Sequence, residues 1–483
     1  MTFVSFEFCL LCFPIFFGLY YACSKNVRLQ NIILFIGNIL FYLTYEIKYS
    51  LVLLACVLIS YFGGIAGAKA KKNGNRIFIL AFVLNVLILC FFKYCNSVMD
   101  FGSYVLPFLK SISLPKILLP TGISFYVFQS SSYLFDLKNG KIESPEKNFI
   151  DYFVFVSFFP TIVSGPIQRG RNLLPQLKKQ RKFNFYNLQS AVLMFLYGAF
   201  IKCVIADRIN EFTNSVYSSL DTVSWLSLII CAALYSIQIY ADFAGYSFMA
   251  IAVSKALGIN AGENFRQPYL ALNIPDFWRR WHISLTSWLT EYVYFPLGGS
   301  RKGTARKYLN IIIVFFVSGM WHGSDVSFIV WGLLHGFYQI FGYITKDARE
   351  KFCKLLHINR ESFIYKWFQR IIVFGLVTVS WIFFRAENLS QAVLFIKKIL
   401  FFSSGLLISA SGTLLTKDYA IIFLGIILMI VFSSVQEKIN IFEKICSFKI
   451  GYRILIAAVM LYVIVLLGYF SGLSSSSFIY AGF

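Results

Sequence analysis

The segment YLNIIIVFFVSGMWHGSDVSFIVWGLLHGFYQIFGYIT (residues 308–345) decides the fold class of this protein. Its two apolar runs, 308–320 and 326–345, flank a short polar stretch that holds His322 and Asp325. A helix that crosses a bilayer needs about 20 predominantly apolar residues, and shorter runs are candidates for partial spans. The segment therefore predicts two neighbouring membrane helices with ionisable residues at their junction.

The composition of the whole chain indicates the same class. Of its 483 residues, 58% are hydrophobic and only 14% are charged, about half the charged fraction of a typical soluble domain. The formal net charge is +22, but the basic residues gather in short loops between apolar runs, as cytoplasmic loops of membrane proteins do. We therefore expect an all-α, polytopic transmembrane helical bundle in membrane lipids, with one domain over residues 1–483 and no nucleic-acid partner.

Hydropathy predicts about 11 membrane spans plus several re-entrant helices. Short runs, or runs that contain Gly and Pro, are interpreted as re-entrant, which is tolerated only where the backbone packs in protein or lines a wet cavity. Segment 222–256 is long enough for more than one helix. The candidate stretches are 3–22, 30–46, 49–67, 77–95, 117–136, 149–166, 186–205, 222–256, 308–320, 326–345, 367–385, 391–405, 416–434 and 452–472.

Three basic loops without acidic residues fix the predicted orientation. They are 69–76, 168–184 and 301–307, and the bias of Lys and Arg toward the cytoplasm assigns all three to that side. Counting spans from them predicts an extracytoplasmic N-terminus. The first apolar run has no basic region before it and no small-residue cleavage site, so we interpret it as a retained helix.

His322 is the strongest candidate for chemistry. It lies 15 residues after Lys307, which is about 22 Å along a helix and well inside a hydrocarbon layer of about 30 Å. An ionisable residue at that depth is costly and is usually functional, and a neutral imidazole can act as a general base. The alternative is a structural histidine that bonds to a neighbouring helix. Gly319 and Gly323 predict close approach by either a substrate or another helix.

A second candidate region is IPDFWRRWHISLTSWLTEYVYFPLGGSRKG (274–303), which mixes charges with tryptophans. This pattern is typical of an interfacial or re-entrant helix. His282 lies at its centre, and Arg279 and Arg280 could hold a phosphate-bearing ligand. The alternative is an aromatic belt whose charges pair locally.

The remaining ionisable residues divide into packed, solvated and unexplained groups. His335 is interpreted as a packed residue and His357 as solvated surface. Asp242 lies in an apolar run and needs a partner; it could orient a histidine, pair with an arginine or act as a structural clasp. Cys9 and Cys12 form a C-x-x-C, but it lies inside a hydrophobic helix without a second pair, which argues against a redox or zinc role. No nucleotide-binding loop is present, so we expect no bound metal or cofactor.

Several segments together resemble the membrane-bound O-acyltransferases, in particular the bacterial alginate O-acetyltransferase-like branch. The teichoic acid D-alanyl transferases are a related branch. The most specific part runs from DFWRRWHISL to SGMWHG, inside a core of about 118–340. One departure is Phe248, where the alginate branch commonly has aspartate. The matching segments are LLPTGISFYVFQSSSYLFDL (118–137), FFPTIVSGPIQR (158–169), YADFAGYS (240–247), ENFRQPYLALNIPDFWRRWHISLTSWLTEYVYFPLGG (263–299), SGMWHG (318–323) and WIFFRAENLSQA (381–392).

The resemblance implies a helical fold around a central tunnel in a bacterial cytoplasmic membrane. An acyl thioester, either acetyl-CoA or an acyl carrier, would enter from the cytoplasm. A polysaccharide or cell-wall acceptor, or an extracytoplasmic SGNH-type transferase partner, would meet it from the other side. His322 matches the catalytic histidine of the family and His282 its second functional histidine. We assign substrate or donor binding to Arg279, Arg280, Asp242, Trp321 and Asn264.

Three other functions remain open from the sequence. One is D-alanyl transfer to teichoic acid from a carrier protein. A polysaccharide or lipid transporter would also be a helical bundle with intramembrane charges, but it is expected to show inverted repeats, and none is detectable. A scaffold that recruits another transferase would not depend on His322.

Overall fold

The computed structural model describes residues 2–45, 47–70, 72–105, 116–406 and 414–469, with the side chains of 101–105 excepted. Within these ranges the secondary structure is helical, without a β-strand apart from one isolated bridge between Val223 and Leu406. This confirms the predicted all-α class. The end of the predicted span 452–472 lies outside the described residues, as does Lys71 of the predicted loop 69–76.

The helices of the described ranges are numbered in chain order. Three of them contain or adjoin π-helical turns, at Glu7–Cys12, Phe200–Ala206 and Thr290–Tyr294. The numbered helices are α1 Glu7–Ala22, α2 Val27–Leu43, α3 Ile47–Lys69, α4 Gly74–Val105, α5 Ile123–Lys138, α6 Phe149–Ser157, α7 Gly170–Leu177, α8 Phe185–Ser218, α9 Trp225–Ala256, α10 Ile274–Arg280, α11 Ile283–Leu289, α12 Thr304–His322, α13 Val326–Ile344, α14 Lys346–Leu355, α15 Phe363–Arg385, α16 Leu389–Leu400, α17 Thr416–Gln436, α18 Ile441–Cys446 and α19 Ile450–Leu467.

Seven of the described helices are long and apolar enough to cross a membrane, namely α3, α4, α8, α9, α15, α17 and α19. The pair α13 and α14, bent by 52°, would make eight. The protein is therefore a multi-pass membrane protein, and its described residues contain fewer full-length spans than the roughly 11 predicted. The difference arises where apolar runs contain helices too short for a bilayer: α1 and α2 are such helices, and the predicted span 149–166 contains only the nine residues of α6.

Two other segments differ from their sequence prediction. The long run 222–256, whose length left room for more than one helix, contains a single helix of 32 residues. The connection between the predicted spans 326–345 and 367–385 contains α14, a polar helix that follows α13 directly. Hydropathy detects apolar runs, so it overlooks a polar helix between them.

The described chain divides into two compact units. The first comprises residues 2–196 and 246–263, and the second comprises 197–245 and 264–469. One membrane domain over 1–483, with a core at 118–340, stays a prediction.

In the first unit, a buried polar network holds the basic segment 168–184. Asn31 of α2 donates from Nδ2 to Asp151 Oδ1 at 2.7 Å and to the Leu177 carbonyl at 2.9 Å. Arg181 donates from Nη2 to Asn31 Oδ1 and is only 4% exposed. This segment is therefore not a simple solvated loop, because α7 and Arg181 pack it against α2.

In the second unit, α12 and α13 form a tight hairpin around the turn 323–325. A Cβ added at Gly319 would collide with the Phe328 carbonyl, and one at Gly332 with the Phe315 carbonyl. The space beside Gly319 is thus filled by the neighbouring helix, one of the two alternatives the sequence left open. Asp325 caps α13, because its Oδ1 accepts a hydrogen bond from the Ser327 amide at 2.8 Å.

Candidate active site

His322 is the last residue of α12, in an uninterrupted helix that includes Lys307. The distance along a helix that was counted from Lys307 to His322 therefore applies to this residue. The side chain is buried, and aromatic rings surround it nearly edge-on. Ring centroids lie at 4.7 Å for Trp321, 4.8 Å for Trp331 and 5.2 Å for Phe384. The imidazole thus occupies a mostly apolar compartment, where its chemistry is shielded from bulk water.

His282 lies at the break between α10 and α11. Its backbone is left-handed, with φ +43° and ψ 54°, a region that costs a residue with a Cβ about 1–3 kcal/mol. The side chain is fully buried, and the ring of Phe243 meets it edge-on at 4.7 Å. Such strain persists only where the surroundings fix the conformation, and it clusters at functional sites.

Asn264 fixes the protonation pattern of His282. Its Oδ1 lies 3.0 Å from His282 Nδ1 and accepts a second hydrogen bond from Ser284 Oγ at 2.9 Å. An amide oxygen can only accept, so Nδ1 carries the proton and Nε2 carries the lone pair. The Ile283 amide donates to the Asn264 carbonyl at 2.9 Å. Asn264 therefore holds both the ring and the backbone of this break.

Trp321 lies between the two histidines. Its ring centroid is 6.2 Å from that of His282 and 4.7 Å from that of His322. The structure thus brings together four of the residues predicted for the site, His322, His282, Trp321 and Asn264, all within the second unit. Ser284 and Phe243, which directly contact this group, were not predicted as site residues, although they lie in the segments DFWRRWHISL and YADFAGYS.

The two arginines of α10 have different environments. Arg280 donates to Asp276 Oδ1 at 3.1 Å and to Glu437 Oε1 at 2.8 Å. Burial lowers the pKa of Arg280, but the hydrogen bonds to Glu437 and Asp276 more than offset it, so the pKa is raised and the guanidinium stays charged. Arg279 is exposed and forms no side-chain ion pair with the residues that the structure describes. Local pairing, the alternative raised by the sequence, thus applies to Arg280 but not to Arg279.

Asp242 is part of a buried ion-pair cluster. It contacts Nζ of Lys202, which also lies 2.7 Å from Asp207 Oδ1. Of the three roles considered for Asp242, the structure supports the clasp, with a lysine in place of the arginine that was considered. Its assignment to substrate or donor binding stays a prediction. Lys202 was not predicted, although a lysine in the apolar run FLYGAFIKCVIA (195–206) signals a buried partner.

The other two histidines fit their predicted roles. His335 is fully buried and accepts a hydrogen bond from Trp278 Nε1 at 3.3 Å, which confirms a packed residue. His357 is exposed. Among the described residues, no three His, Cys, Asp or Glu side chains are grouped to hold a metal ion.

Comparison with known proteins identifies relatives over most of the chain. Residues 32–383 match the membrane-bound O-acyltransferase family. The chain is 34% identical over 400 residues to the probable alginate O-acetylase AlgI of Pseudomonas syringae pv. tomato, covering 81% of this chain and 74% of that protein. It is 33% identical over 403 residues to the peptidoglycan O-acetyltransferase of Helicobacter pylori, covering 78% and 75%. A teichoic acid D-alanyltransferase of Bacillus subtilis matches at 28% over 283 residues, covering 56% and 69%.

Proposed function

The chain belongs to the membrane-bound O-acyltransferase family and is an O-acyltransferase, and we propose that it moves an acetyl group from a cytoplasmic thioester to a hydroxyl outside the membrane. The observation that carries this proposal is the row formed by His282, Trp321 and His322, in which Asn264 sets the tautomer of one imidazole. This row offers two imidazoles in a buried, aromatic compartment, as a proton transfer shielded from water requires.

In the proposed reaction, His322 acts on the acceptor. Its imidazole takes the proton of the acceptor hydroxyl as the oxygen attacks the thioester carbonyl carbon. A C–O bond forms, the C–S bond breaks, and the leaving thiolate takes the proton back from the imidazolium. Protons and electrons therefore balance without another reactant. The rings of Trp321, Trp331 and Phe384 around His322 limit hydrolysis of the thioester by excluding water.

His282 is proposed to position the donor. With its Nδ1 proton held by Asn264, the ring directs a lone pair from Nε2, which can accept a hydrogen bond from the donor. The left-handed backbone fixes the direction of the ring before the donor arrives, so little ordering is left for the binding step. Arg279, the exposed arginine of α10, would bind a phosphate of the donor, while Arg280 secures the helix through Asp276 and Glu437.

The acceptor is proposed to be an extracytoplasmic polysaccharide, or a partner protein of the SGNH type that passes the acetyl group on. Two relatives, each of which matches more than three quarters of this chain, are named for alginate and peptidoglycan, and both polymers contain sugar hydroxyls. D-alanyl transfer is less well supported, because the D-alanyltransferase matches only 56% of the chain. We also propose that the protein lies in a bacterial cytoplasmic membrane with its N-terminus on the extracytoplasmic side.

The proposal is tested with purified protein in nanodiscs and acetyl-CoA labelled in the acetyl group. Thiol release and label transfer to a polysaccharide are measured for wild type, His322→Ala, His282→Gln and the exposed control His357→Ala. We expect His322→Ala to lose about 1,000-fold in rate while keeping the elution profile of a folded protein, and His357→Ala to resemble wild type. A wild-type rate in His322→Ala would refute the assigned base. A wild type active only with a D-alanyl carrier protein would establish the alternative reaction.

A further inference from the structure

A cavity in the second unit, which has no histidine among its lining residues, lies between α8 and the helices α17, α18 and α19. Its volume is about 550 Å³, within the range of ~300–1,000 Å³ that is usual for small-ligand sites. Its floor is aromatic, because Tyr197 stacks on Phe432 with ring centroids 3.7 Å apart. Its walls are aliphatic, with Val459 and Val463 from α19 and Leu428 from α17 among them. The cavity is thus shaped for a flexible hydrocarbon.

One charged residue, Lys444, lines this cavity. It lies on α18, whose buried residues are Phe442 and Cys446, so the helix is amphipathic. The Lys444 side chain is exposed and forms no hydrogen bond or ion pair with the residues that the structure describes. An apolar cavity with one available ammonium at its edge suits a ligand that has a hydrocarbon chain and an anionic head.

The segment that connects α17 to α19, here called the connector, contains Lys444, and its charges favour binding of an anion. Segment 436–453 contains four basic residues and two acidic ones. One of the acidic residues, Glu437, is paired with Arg280, which leaves the excess of positive charge less compensated. Basic clusters next to a membrane helix attract anionic headgroups by about 1 kcal/mol per residue.

Two of the helices that wall the cavity, α17 and α19, are exposed over most of their surface. Only 6% of the most apolar stretch of α19 is buried, and 28% of that of α17. Several lining side chains, among them Val431 and Val459, are more than half exposed. In a bilayer, such a surface meets acyl chains.

We propose that this cavity binds an acyl chain of an anionic phospholipid, whose phosphate lies at the Lys444 ammonium. The acyl chain would enter between α17 and α19 over the Tyr197 and Phe432 rings. The headgroup would lie beside α18, at the level of the basic connector. This site is independent of the acyl-transfer reaction, and its ligand is a resident lipid that need not be a substrate.

The proposal is tested by native mass spectrometry of protein released from nanodiscs with equal amounts of phosphatidylglycerol and phosphatidylcholine. Wild type is expected to retain phosphatidylglycerol preferentially. Lys444→Gln should reduce that preference about fivefold, which corresponds to ~1 kcal/mol. The matched control is Lys438→Gln, a basic residue of the same connector that does not line the cavity, and it should change the preference less than twofold.

A second pair of variants tests the hydrocarbon part. Val459→Phe fills the cavity and should lower retention of the lipid, whereas Val465→Phe, on the same helix but outside the cavity, should not. Both positions are exposed, so neither substitution disturbs a packed core. Equal retention in Val459→Phe and Val465→Phe, or in Lys444→Gln and Lys438→Gln, would overturn the proposal. A dimer in wild type that Val459→Phe dissociates would also overturn it, by identifying the cavity as an interface between copies.

Discussion

Two buried asparagines, one in each unit, differ in what they hold. Asn31 bridges the carboxylate of Asp151 and the guanidinium of Arg181. Neither Asp151 nor Arg181 has a left-handed backbone. Asn264 holds an imidazole, His282, on a left-handed backbone. In the first network an amide lies between opposite charges, and breaking such a network destabilises a fold because it leaves buried charged groups without partners. The second orients one neutral ring among aromatic side chains, which contributes to stability only weakly but defines a direction for chemistry.

The comparison indicates how to separate structural from functional polar groups inside this membrane protein. Removing Asn31 should lower the stability and leave the rate per folded molecule unchanged. Removing Asn264 should lower the rate and change stability less. Substitution by leucine, which is close in size to asparagine and cannot form hydrogen bonds, makes the two positions directly comparable.

Of the substitutions that compare the two networks, Asn264→Leu is expected to have the largest effect. Without an acceptor at Nδ1, the His282 ring loses its fixed tautomer, and kcat should fall about 100-fold. Asn264→Asp keeps an acceptor oxygen and should retain at least ten times the rate of Asn264→Leu. The measurement is label transfer from acetyl-CoA, with the amount of folded protein determined by size-exclusion chromatography. Equal rates for the two variants would show that Asn264 does not act through the His282 ring.

The next effect is expected for Asn31→Leu. Its loss leaves Asp151 and Arg181 without an amide partner in a buried place, which should cost about 2–3 kcal/mol in the free energy of unfolding. Thermal unfolding in detergent, followed by tryptophan fluorescence, measures the change. The acyl-transfer rate per folded molecule should stay within twofold of wild type. A 100-fold loss of that rate would erase the distinction between the two asparagines.

The smallest effect concerns the backbone at His282. Glycine tolerates a left-handed conformation and alanine does not, so His282→Gly should be more stable than His282→Ala by about 1 kcal/mol. At Ser287, an exposed position inside α11, the order should reverse, since alanine favours helices over glycine by about 1 kcal/mol. Unfolding temperatures of the four variants test this. The same order at both positions would mean that His282 is not strained.

Much of the site could be predicted because it depends on distance along one helix. The position of His322 follows from counting residues after Lys307, and α12 is indeed continuous between them. The mixture of charges and tryptophans in 274–303 likewise singled out His282 as a candidate. These are local properties, and periodicity and composition report local properties well.

What escaped prediction depends on contacts between distant parts of the chain. The pairing of Asp242 with Lys202 joins residues 40 positions apart, and Arg181 is buried by Asn31, 150 positions away. The left-handed backbone of His282 is imposed by packing, since histidine has no intrinsic preference strong enough to select it. The number of full-length spans was overestimated because hydropathy does not distinguish a span from an apolar helix that is too short.

The close hairpin of α12 and α13 also has a consequence for the order of events during synthesis. His322 is covered partly by Trp331 of the helix that immediately follows it and partly by Phe384 of a later helix. Trp331 is synthesised soon after His322. The close contacts at Gly319 and Gly332 let α12 and α13 associate as soon as both have entered the bilayer. The imidazole is therefore screened from lipid within its own hairpin, before the rest of the compartment has been made.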